Sequence, residues 1–272
     1  VDPFSVLDKQ GADAVRWHFY TSSAPWLPSR FYPEAVSESQ RKFMGTLWNT
    51  YAFFVLYADI DKFDPTKYNL KDCKLSVMDR WVLSGLNSLI KYVDDCLNEY
   101  KIFESARKIQ DFVDELSNWY VRLNRKRFWG GEMNVDKLSA YQTLHEVLVD
   151  IAVLSAPIAP FYMDRLYLDL VPDGSESVHY VNMPKSDPAV IDKDLEERME
   201  LAQKATSMVL ALRRKVSIKV RQPLLKLIIP VISDKVRNQL EQVKQLILSE
   251  VNVKEAEFIS DTAGIITKKI KP

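Results

Sequence analysis

WYVRLNRKRFW, residues 119–129, combines clustered cations with a tryptophan at each end. On a helix, Arg122, Arg125 and Lys126 share one face, because residues three and four apart are neighbours. Arginine binds phosphate with two hydrogen bonds, and an indole stacks on an unpaired base for about 1–3 kcal/mol. Cations at a helix C-terminus also complement the helix dipole, for about 0.3–1 kcal/mol. Composition alone favours neither phosphate binding nor the dipole as the reason for this cluster.

The surrounding sequence predicts a bundle of long amphipathic helices. The basic stretch ends a helix predicted over Phe103–Lys126. Asn134 opens the next helix, and two prolines, Pro157 and Pro160, should break it. The chain then resumes as a helix over Phe161–Leu170.

Two capping patterns predict helix starts upstream of the basic stretch. Ser76 and Asp79 have the spacing of a capping box, as do Ser37 and Gln40. The helix that Ser37 opens should run to about Asp61. Because the second half of this helix is apolar on nearly every side, it is predicted to be the central and most buried one.

The first residues are predicted to form a connector of short helices ahead of the bundle. Phe4–Gln10 should be helical with Asp2 as its cap, and Ala12–Thr21 should form a second short helix. Gly11, between them, should adopt a left-handed conformation, which glycine reaches without strain.

The predicted organisation has three parts: a connector over residues 1–36, a helical bundle with its linker over 37–190, and a C-terminal unit over 191–272. The fold class is therefore mainly α, with a small α/β unit (strand–helix–strand–strand) at its C-terminal end. Val178–Val181, in the linker, is predicted to be extended. The C-terminal unit should contain a helix, a strand, a helix and two further strands, with these bounds: Asp192–Val216, Leu224–Ile232, Ser233–Ser249, Glu257–Ile259 and Ile265–Ile270.

Composition excludes several classes of protein. The chain has 272 residues, 47% of them hydrophobic, and its 37 Lys and Arg balance its 37 Asp and Glu. No run approaches the roughly 20 apolar residues of a membrane-spanning helix. Cys73 and Cys96 stand apart without metal-ligand spacing, so they are predicted to be free thiols in a reducing, cytoplasmic compartment. Scattered histidines and the lack of a phosphate-binding glycine loop predict neither a catalytic residue nor a metal in this chain.

A second concentration of positive charge lies nearer the C-terminus. Leu201–Ser233 contains no acidic residue, and its cations are Lys204, Arg213, Arg214, Lys215, Lys219, Arg221 and Lys226. A solvated helix face normally mixes the two signs, so the cluster favours phosphate binding. Together with the aromatic residues of the first cluster, it points to single-stranded loops of RNA.

The basic stretch resembles the signature helix of the anticodon-binding domain in class I aminoacyl-tRNA synthetases. Other stretches resemble the same family in the same order: GADAVR at 11–16, DRWVLS at 79–84 and LSAPIAPF at 154–161. Three more resemble the isoleucine-specific enzymes, in the branch shared by eukaryotes and some bacteria: LWNTYAFFVLYADID at 47–61, SVHYVNMP at 177–184 and IKVRQPL at 218–224. The likeness covers essentially the whole chain.

This resemblance implies a fragment of an enzyme that ligates isoleucine to tRNA(Ile) with ATP and Mg²⁺. It implies tRNA contacts for Arg122, Arg125, Lys126, Arg127 and Trp129, and for Lys219 and Arg221. The second charge cluster adds Arg213, Arg214 and Lys215 as tRNA-binding candidates. The His-Ile-Gly-His and Lys-Met-Ser-Lys-Ser signatures of catalysis, the editing domain and the cysteine-rich zinc module are missing from this sequence, so the fragment should be inactive alone and hold no cofactor.

The expected partners are tRNA(Ile) and the catalytic domain of the same chain, with no DNA and no membrane, in a monomer. One alternative is the same region of the valine enzyme, which typically ends in a coiled-coil arm; the strand-like run Leu224–Ile232 argues against that arm. The other alternative is a helical scaffold that docks on protein.

Overall fold

The computed structural model describes residues 2–24, 26–28, 30–172, 174–231 and 233–260. The chain divides into two units, Val1–Ile191 and Asp192–Pro272, called here the helical unit and the C-terminal unit. The finer division at residue 36 stays a prediction. Among the described residues, no helix is long and apolar enough to cross a membrane, and no group of His, Cys, Asp and Glu side chains could hold a metal ion.

Two short helices begin the helical unit, as predicted. In α1 (Pro3–Gln10), the carboxylate of Asp2 accepts hydrogen bonds from the first free N–H groups of the helix. Gly11 separates α1 from α2 (Ala12–Ser22) and has φ 83° and ψ 158°. The positive φ explains the glycine, but the extended ψ differs from the predicted left-handed helical conformation.

The next helix begins earlier than its capping pattern predicted. α3 (Pro33–Gln40) starts at a proline, which fits the first helical position because its missing N–H needs no partner there. Ser37 lies inside α3, and its hydroxyl accepts a hydrogen bond from Gln10. A π-helical turn, Arg41–Gly45, joins α3 to α4 (Thr46–Asp61) without a break.

α4 is not the central helix, contrary to the prediction. Its buried residues are Leu47, Thr50 and Phe54, while Leu56 and Ile60 are 56% and 64% exposed. An apolar helix is buried on every side only if it has neighbours on every side. Within the described part of the chain, α4 packs on one side, mainly against α8 and the π-helical turn Leu116–Val121, and its other side is exposed. α8 (Val135–Ser155) is central instead, with these residues fully buried: Ala140, Tyr141, Leu144, Val147, Leu148, Ile151 and Ala152.

The other bundle helices follow their local signals. α5 (Val77–Asn98) opens with the predicted capping box of Ser76 and Asp79, and Asn134 caps α8 as predicted. α6 (Ile102–Glu115) continues through the π-helical turn Leu116–Val121 into α7 (Arg122–Trp129), three residues beyond the predicted end at Lys126. The predicted proline break separates α8 from α9 (Pro160–Leu170).

The prediction that Val178–Val181 is extended is wrong. Val178–Tyr180 forms a 3-10 turn, because the carboxylate of Asp164 accepts hydrogen bonds from the Ser177 hydroxyl at 2.7 Å and the Val178 N–H at 2.9 Å. The following segment returns to α5, where Asn87 binds the backbone N–H of Asp187 at 2.8 Å. The linker therefore packs on the bundle.

The C-terminal unit has a strand–helix–strand order after its first helix. α10 (Lys193–Lys215) is followed by β1 (Leu224–Pro230), α11 (Asp234–Val251) and β2 (Val253–Ile259). The two strands pair in parallel, with Leu224 opposite Val253. The mainly α fold with a small C-terminal α/β unit is confirmed, but β2 is longer than predicted, and the predicted strand Ile265–Ile270 lies outside the described residues.

Candidate RNA-binding surface

One side of α7 presents cations and an indole to solvent. The four residues are spaced three and four apart and are all exposed: Arg122, Arg125, Lys126 and Trp129. We call them the α7 face. Trp129 is 56% exposed, whereas Phe128 beside it is 1% exposed. The side chains of Arg125 and Lys126 have neither a hydrogen bond nor an ion pair within the described part of the chain, so their charge is free to meet a phosphate.

The opposite side of α7 is held by aromatic packing. The Phe128 ring meets the rings of Phe53 and Tyr141 edge-on, with centroids 5.2 Å and 4.9 Å away. Edge-to-face pairs of this kind add to the burial energy of the rings. α4 and α8 therefore set the orientation of the α7 face. Trp119, placed beside the cations by sequence spacing, lies in the π-helical turn and is partly buried.

Arg127 does not belong to the α7 face, although its sequence neighbours do. Its guanidinium points inward and donates to the two carboxylate oxygens of Asp79 at 2.7 Å and 2.8 Å. It also donates to Asp136 at 3.0 Å and to Asn124 at 3.2 Å. A guanidinium has five N–H groups, and each has an acceptor here once the backbone oxygen of Asp136 is included. The predicted tRNA contact of Arg127 does not fit this geometry, because no N–H remains for a phosphate.

Asp79 is fully buried beneath α7 and depends on these donors. It also accepts hydrogen bonds from the Tyr120 hydroxyl at 2.6 Å and the Ser76 N–H at 2.8 Å. Burial raises the pKa of Asp79, but the hydrogen bonds and charge of Arg127 and the bond from Tyr120 outweigh it, so the pKa lies below its ordinary value. Asp79 therefore stays ionised at neutral pH and keeps Arg127 in place.

A second inward-facing cation lies beyond the end of α7. Lys137 is 2% exposed, and its ammonium is 2.6 Å from the carboxylate of Asp61. It donates to the backbone oxygens of Gly130 and Gly131 at 3.4 Å each. The Tyr141 hydroxyl donates to the same Asp61 carboxylate. Sequence reasoning missed Asp61 and Lys137, because a single charge on an amphipathic helix normally marks its solvated face.

The C-terminal unit contains the second predicted cluster. Arg213 is only 3% exposed and donates to the backbone oxygens of Lys219, Gln222 and Asn252, at 3.2, 3.0 and 2.9 Å. Its predicted tRNA contact does not fit this burial. Other members of the cluster are exposed and carry no side-chain ion pair within the residues described: Arg214, Lys215, Lys219 and Arg221.

The remaining two cations of the acid-free stretch are neutralised by partners outside it. Lys204 pairs with Glu200 on α10, and Lys226 pairs with Glu257 on the neighbouring strand. A shallow cleft of about 460 Å³ lies beside the exposed cations and is lined partly by Arg214 and Lys219. The unpaired charge of the cluster is therefore concentrated between residues 214 and 221.

The comparison with known families fits this surface. The family described as the anticodon-binding domain of tRNA ligase matches residues 79–229, more than half of the chain. The chain belongs to this anticodon-binding domain family. The match contains the α7 face and the exposed cations of the C-terminal unit, and it confirms the resemblance drawn from the basic stretch.

Relatives of the whole chain are isoleucine–tRNA ligases. The chain is 52% identical to those of Bacteroides thetaiotaomicron and Porphyromonas gingivalis and 48% identical to that of Clostridium tetani. Each alignment covers 100% of this chain but only 24%, 24% and 26% of the relative. The chain thus spans about a quarter of the length of these relatives, and the resemblance to the isoleucine-specific enzymes is confirmed.

A solved structure shares the fold. It is a leucyl-tRNA synthetase of Agrobacterium radiobacter K84 in a ternary complex with tRNA, with a TM-score of 0.53 and 17% identity. The match covers 71% of this chain and 22% of that one. At 17% identity this likeness shows that the two chains share a fold, and it says nothing about what this chain binds.

Proposed function

We propose that this chain is the part of an isoleucine–tRNA ligase that binds the anticodon stem-loop of tRNA(Ile). In this proposal, the complete ligase attaches isoleucine to the tRNA with ATP and Mg²⁺, in parts of the polypeptide other than this one. The observation that carries the proposal is the α7 face, where the free cations Arg125 and Lys126 lie beside an exposed indole on a helix whose other side is buried.

The chemistry of the α7 face favours a single-stranded loop over a duplex. Arg125 and Lys126 supply unneutralised charge for the phosphate backbone, and this charge makes binding depend on salt. Trp129 offers a flat apolar surface to a base that is not paired, and the loop of a stem-loop RNA presents such bases. Duplex RNA would use the cations and leave the indole without a partner.

The C-terminal unit supports the proposal with a second set of exposed cations. Arg214, Lys215, Lys219 and Arg221 lie within eight residues of each other. No acidic residue lies near them in sequence, since Leu201–Ser233 contains none, so their charge is available to bind the phosphates of an RNA stem. We propose that they add affinity without selecting bases.

Titration of the chain with RNA tests the proposal. The ligands are tRNA(Ile), its isolated anticodon stem-loop, and a duplex of the same length, each at several salt concentrations between about 50 and 200 mM. We expect the stem-loop to bind more tightly than the duplex, and its affinity to fall steeply with salt. Equal affinity for loop and duplex, or affinity independent of salt, would contradict the proposal.

Lys108→Ala provides a matched control in the same experiment. Lys108 is an exposed cation on α6, on the same continuous helix as the α7 face. It lies about 25 Å before Arg125, from the rise of about 1.5 Å per residue. Its removal changes the net charge by the same amount as Arg125→Ala but should leave stem-loop affinity unchanged.

A further inference from the structure

We propose that Arg127 and Lys137 are positioning residues that hold the end of α7 and the turn after it in the form that meets RNA. The inference rests on the proposed function, because it concerns how the α7 face is presented. Neither cation is available to RNA itself, since both point inward and both are engaged by carboxylates. Their role is to order the exposed residues between them.

Arg127 ties α7 to the beginnings of two other helices. Asp79 and Ser76 belong to the capping box of α5, and Asp136 lies in the first turn of α8. The fork of Arg127 binds Asp79 with one edge and Asp136 with another, at distances of 2.7 to 3.0 Å. A planar fork with five donors can satisfy both carboxylates at once, which an ammonium cannot do.

Lys137 holds the turn that comes after α7. The carbonyl oxygens of Gly130 and Gly131 come directly after the last residue of the helix, and Gly131 has φ 60°. Such carbonyls at a helix end need donors from elsewhere. The Lys137 ammonium supplies these donors from a buried position, and Asp61 balances its charge.

Trp129 lies between these two supports. Phe128, before it, is packed between aromatic rings, and Gly130, after it, is bound by Lys137. The backbone of Trp129 is thus fixed on both sides although its indole is exposed. When the backbone that carries the indole is already held in place, less motion of the protein is lost when a base stacks on the indole. Binding is therefore tighter than it would be to an indole on a mobile backbone.

The dependence of affinity on salt distinguishes a positioning cation from a contacting one. Loss of a cation that touches phosphate lowers the slope of log affinity against log salt by about one. Asp61 already neutralises Lys137, and Asp79 and Asp136 already neutralise Arg127. Loss of either cation together with its carboxylate charge should therefore weaken binding and leave the slope unchanged.

The test compares the wild-type chain with the double variant Asp61→Asn, Lys137→Met. This variant removes a buried pair of charges together, which proteins tolerate better than the loss of one partner. We expect a folded protein whose stem-loop affinity is about three- to tenfold lower, with the wild-type salt slope. If the double variant bound the stem-loop as tightly as wild type, or if its slope of log affinity against log salt were lower by about one, the proposal would be overturned.

Fluorine NMR on 5-fluorotryptophan protein gives a readout that a role in stability alone would not move. The Trp129 signal, assigned with Trp129→Phe, should move toward the position of a mobile, solvated indole in the double variant. Arg127→Lys is the second variant, because it keeps the charge and loses the fork; it should change the same signal and weaken binding. A Trp129 signal that stays in its wild-type position in both variants overturns the inference, whether or not the wild-type chain binds RNA. Absence of RNA binding by the wild-type chain would contradict the proposed function instead.

Discussion

The carboxylate of Asp13 accepts a hydrogen bond from the backbone N–H of Tyr162 at 2.6 Å, although 149 residues separate the two. Asp13 lies on α2 and caps the first turn of α9. One turn later on α2, Arg16 donates to the carbonyl oxygens of Ile158 and Pro157 at 2.7 Å and 3.0 Å. α2 therefore binds both sides of the proline break between α8 and α9. The stretch GADAVR, residues 11–16, thus contains the two side chains that form hydrogen bonds on both sides of this break.

Asp13→Ala should destabilise the helical unit by about 1–2 kcal/mol, the usual cost of a lost helix cap. Asp13 is 7% exposed, so water replaces the missing carboxylate poorly. Urea denaturation followed by circular dichroism measures the loss. Asp8→Ala, at an exposed position of α1, is the control and should change the free energy of unfolding by less than about 0.5 kcal/mol.

Asp79→Asn should cost several kcal/mol at pH 7, about 3–5 by analogy with other broken buried ion pairs. The pKa of Asp79 is lowered in the folded protein, so its ionised form contributes stability above the unfolded pKa of about 3.9. This contribution is lost as the pH falls through the folded pKa. The difference between wild type and variant should therefore shrink from pH 7 to pH 3, and a constant difference would contradict the prediction.

Asp150→Asn should have the opposite effect. Burial, followed by repulsion from Glu146, raises the pKa of Asp150 to about 7. Between about pH 4 and pH 7 the folded state holds a proton that the unfolded state has released, so wild-type stability falls as the pH rises through this range. We expect Asp150→Asn to stabilise the chain by about 1–3 kcal/mol at pH 8 and by almost nothing at pH 4. If the variant gained the same stability at pH 4 and at pH 8, the loss of the Asp150 charge would not be the cause of the gain.

Arg213 and Arg214 are neighbours in sequence and should behave differently when replaced. Arg213→Ala removes a buried donor to the carbonyl oxygens of Lys219, Gln222 and Asn252, so we expect a loss of stability of about 1–3 kcal/mol. Arg214→Ala, at an exposed position, should leave stability unchanged and weaken RNA binding. Thermal unfolding and RNA titration of both variants check this; equal effects in both assays would contradict it.

Local signals in the sequence predicted the helix starts at Ser76 and Asn134, because a capping residue acts on backbone groups only three residues away. The tRNA contact expected for Arg127 came instead from the family resemblance, and it did not fit the geometry. The direction of Arg127 depends on Asp79, 48 residues earlier, and on the π-helical turn Leu116–Val121. A π turn adds a residue and rotates all of α7, Arg125 and Arg127 alike, by about 100° relative to α6, so the hydrophobic period of α6 does not predict which side of α7 is buried.

The error on α4 has a similar cause. Its sequence is apolar around most of its circumference, and burial of such a helix depends on how many neighbours the fold supplies. α8, with a more mixed sequence, holds the central place because α4, α5, α7 and α9 all pack against it. Sequence could therefore predict which segments are helices, and it could not predict which helix lies in the middle.

Within the α7 face, charge and stacking should separate by experiment. Arg125→Ala should weaken stem-loop binding and lower the slope of log affinity against log salt by about one, because one phosphate contact is lost. Trp129→Ala should weaken binding by about 1–3 kcal/mol and leave the slope unchanged, because stacking releases no counterions. Trp129→Phe should recover part of the loss, and the duplex control should respond to the arginine change alone. If Trp129→Ala lowered the slope, or if it weakened stem-loop and duplex binding equally, the indole would not be stacking on an unpaired base.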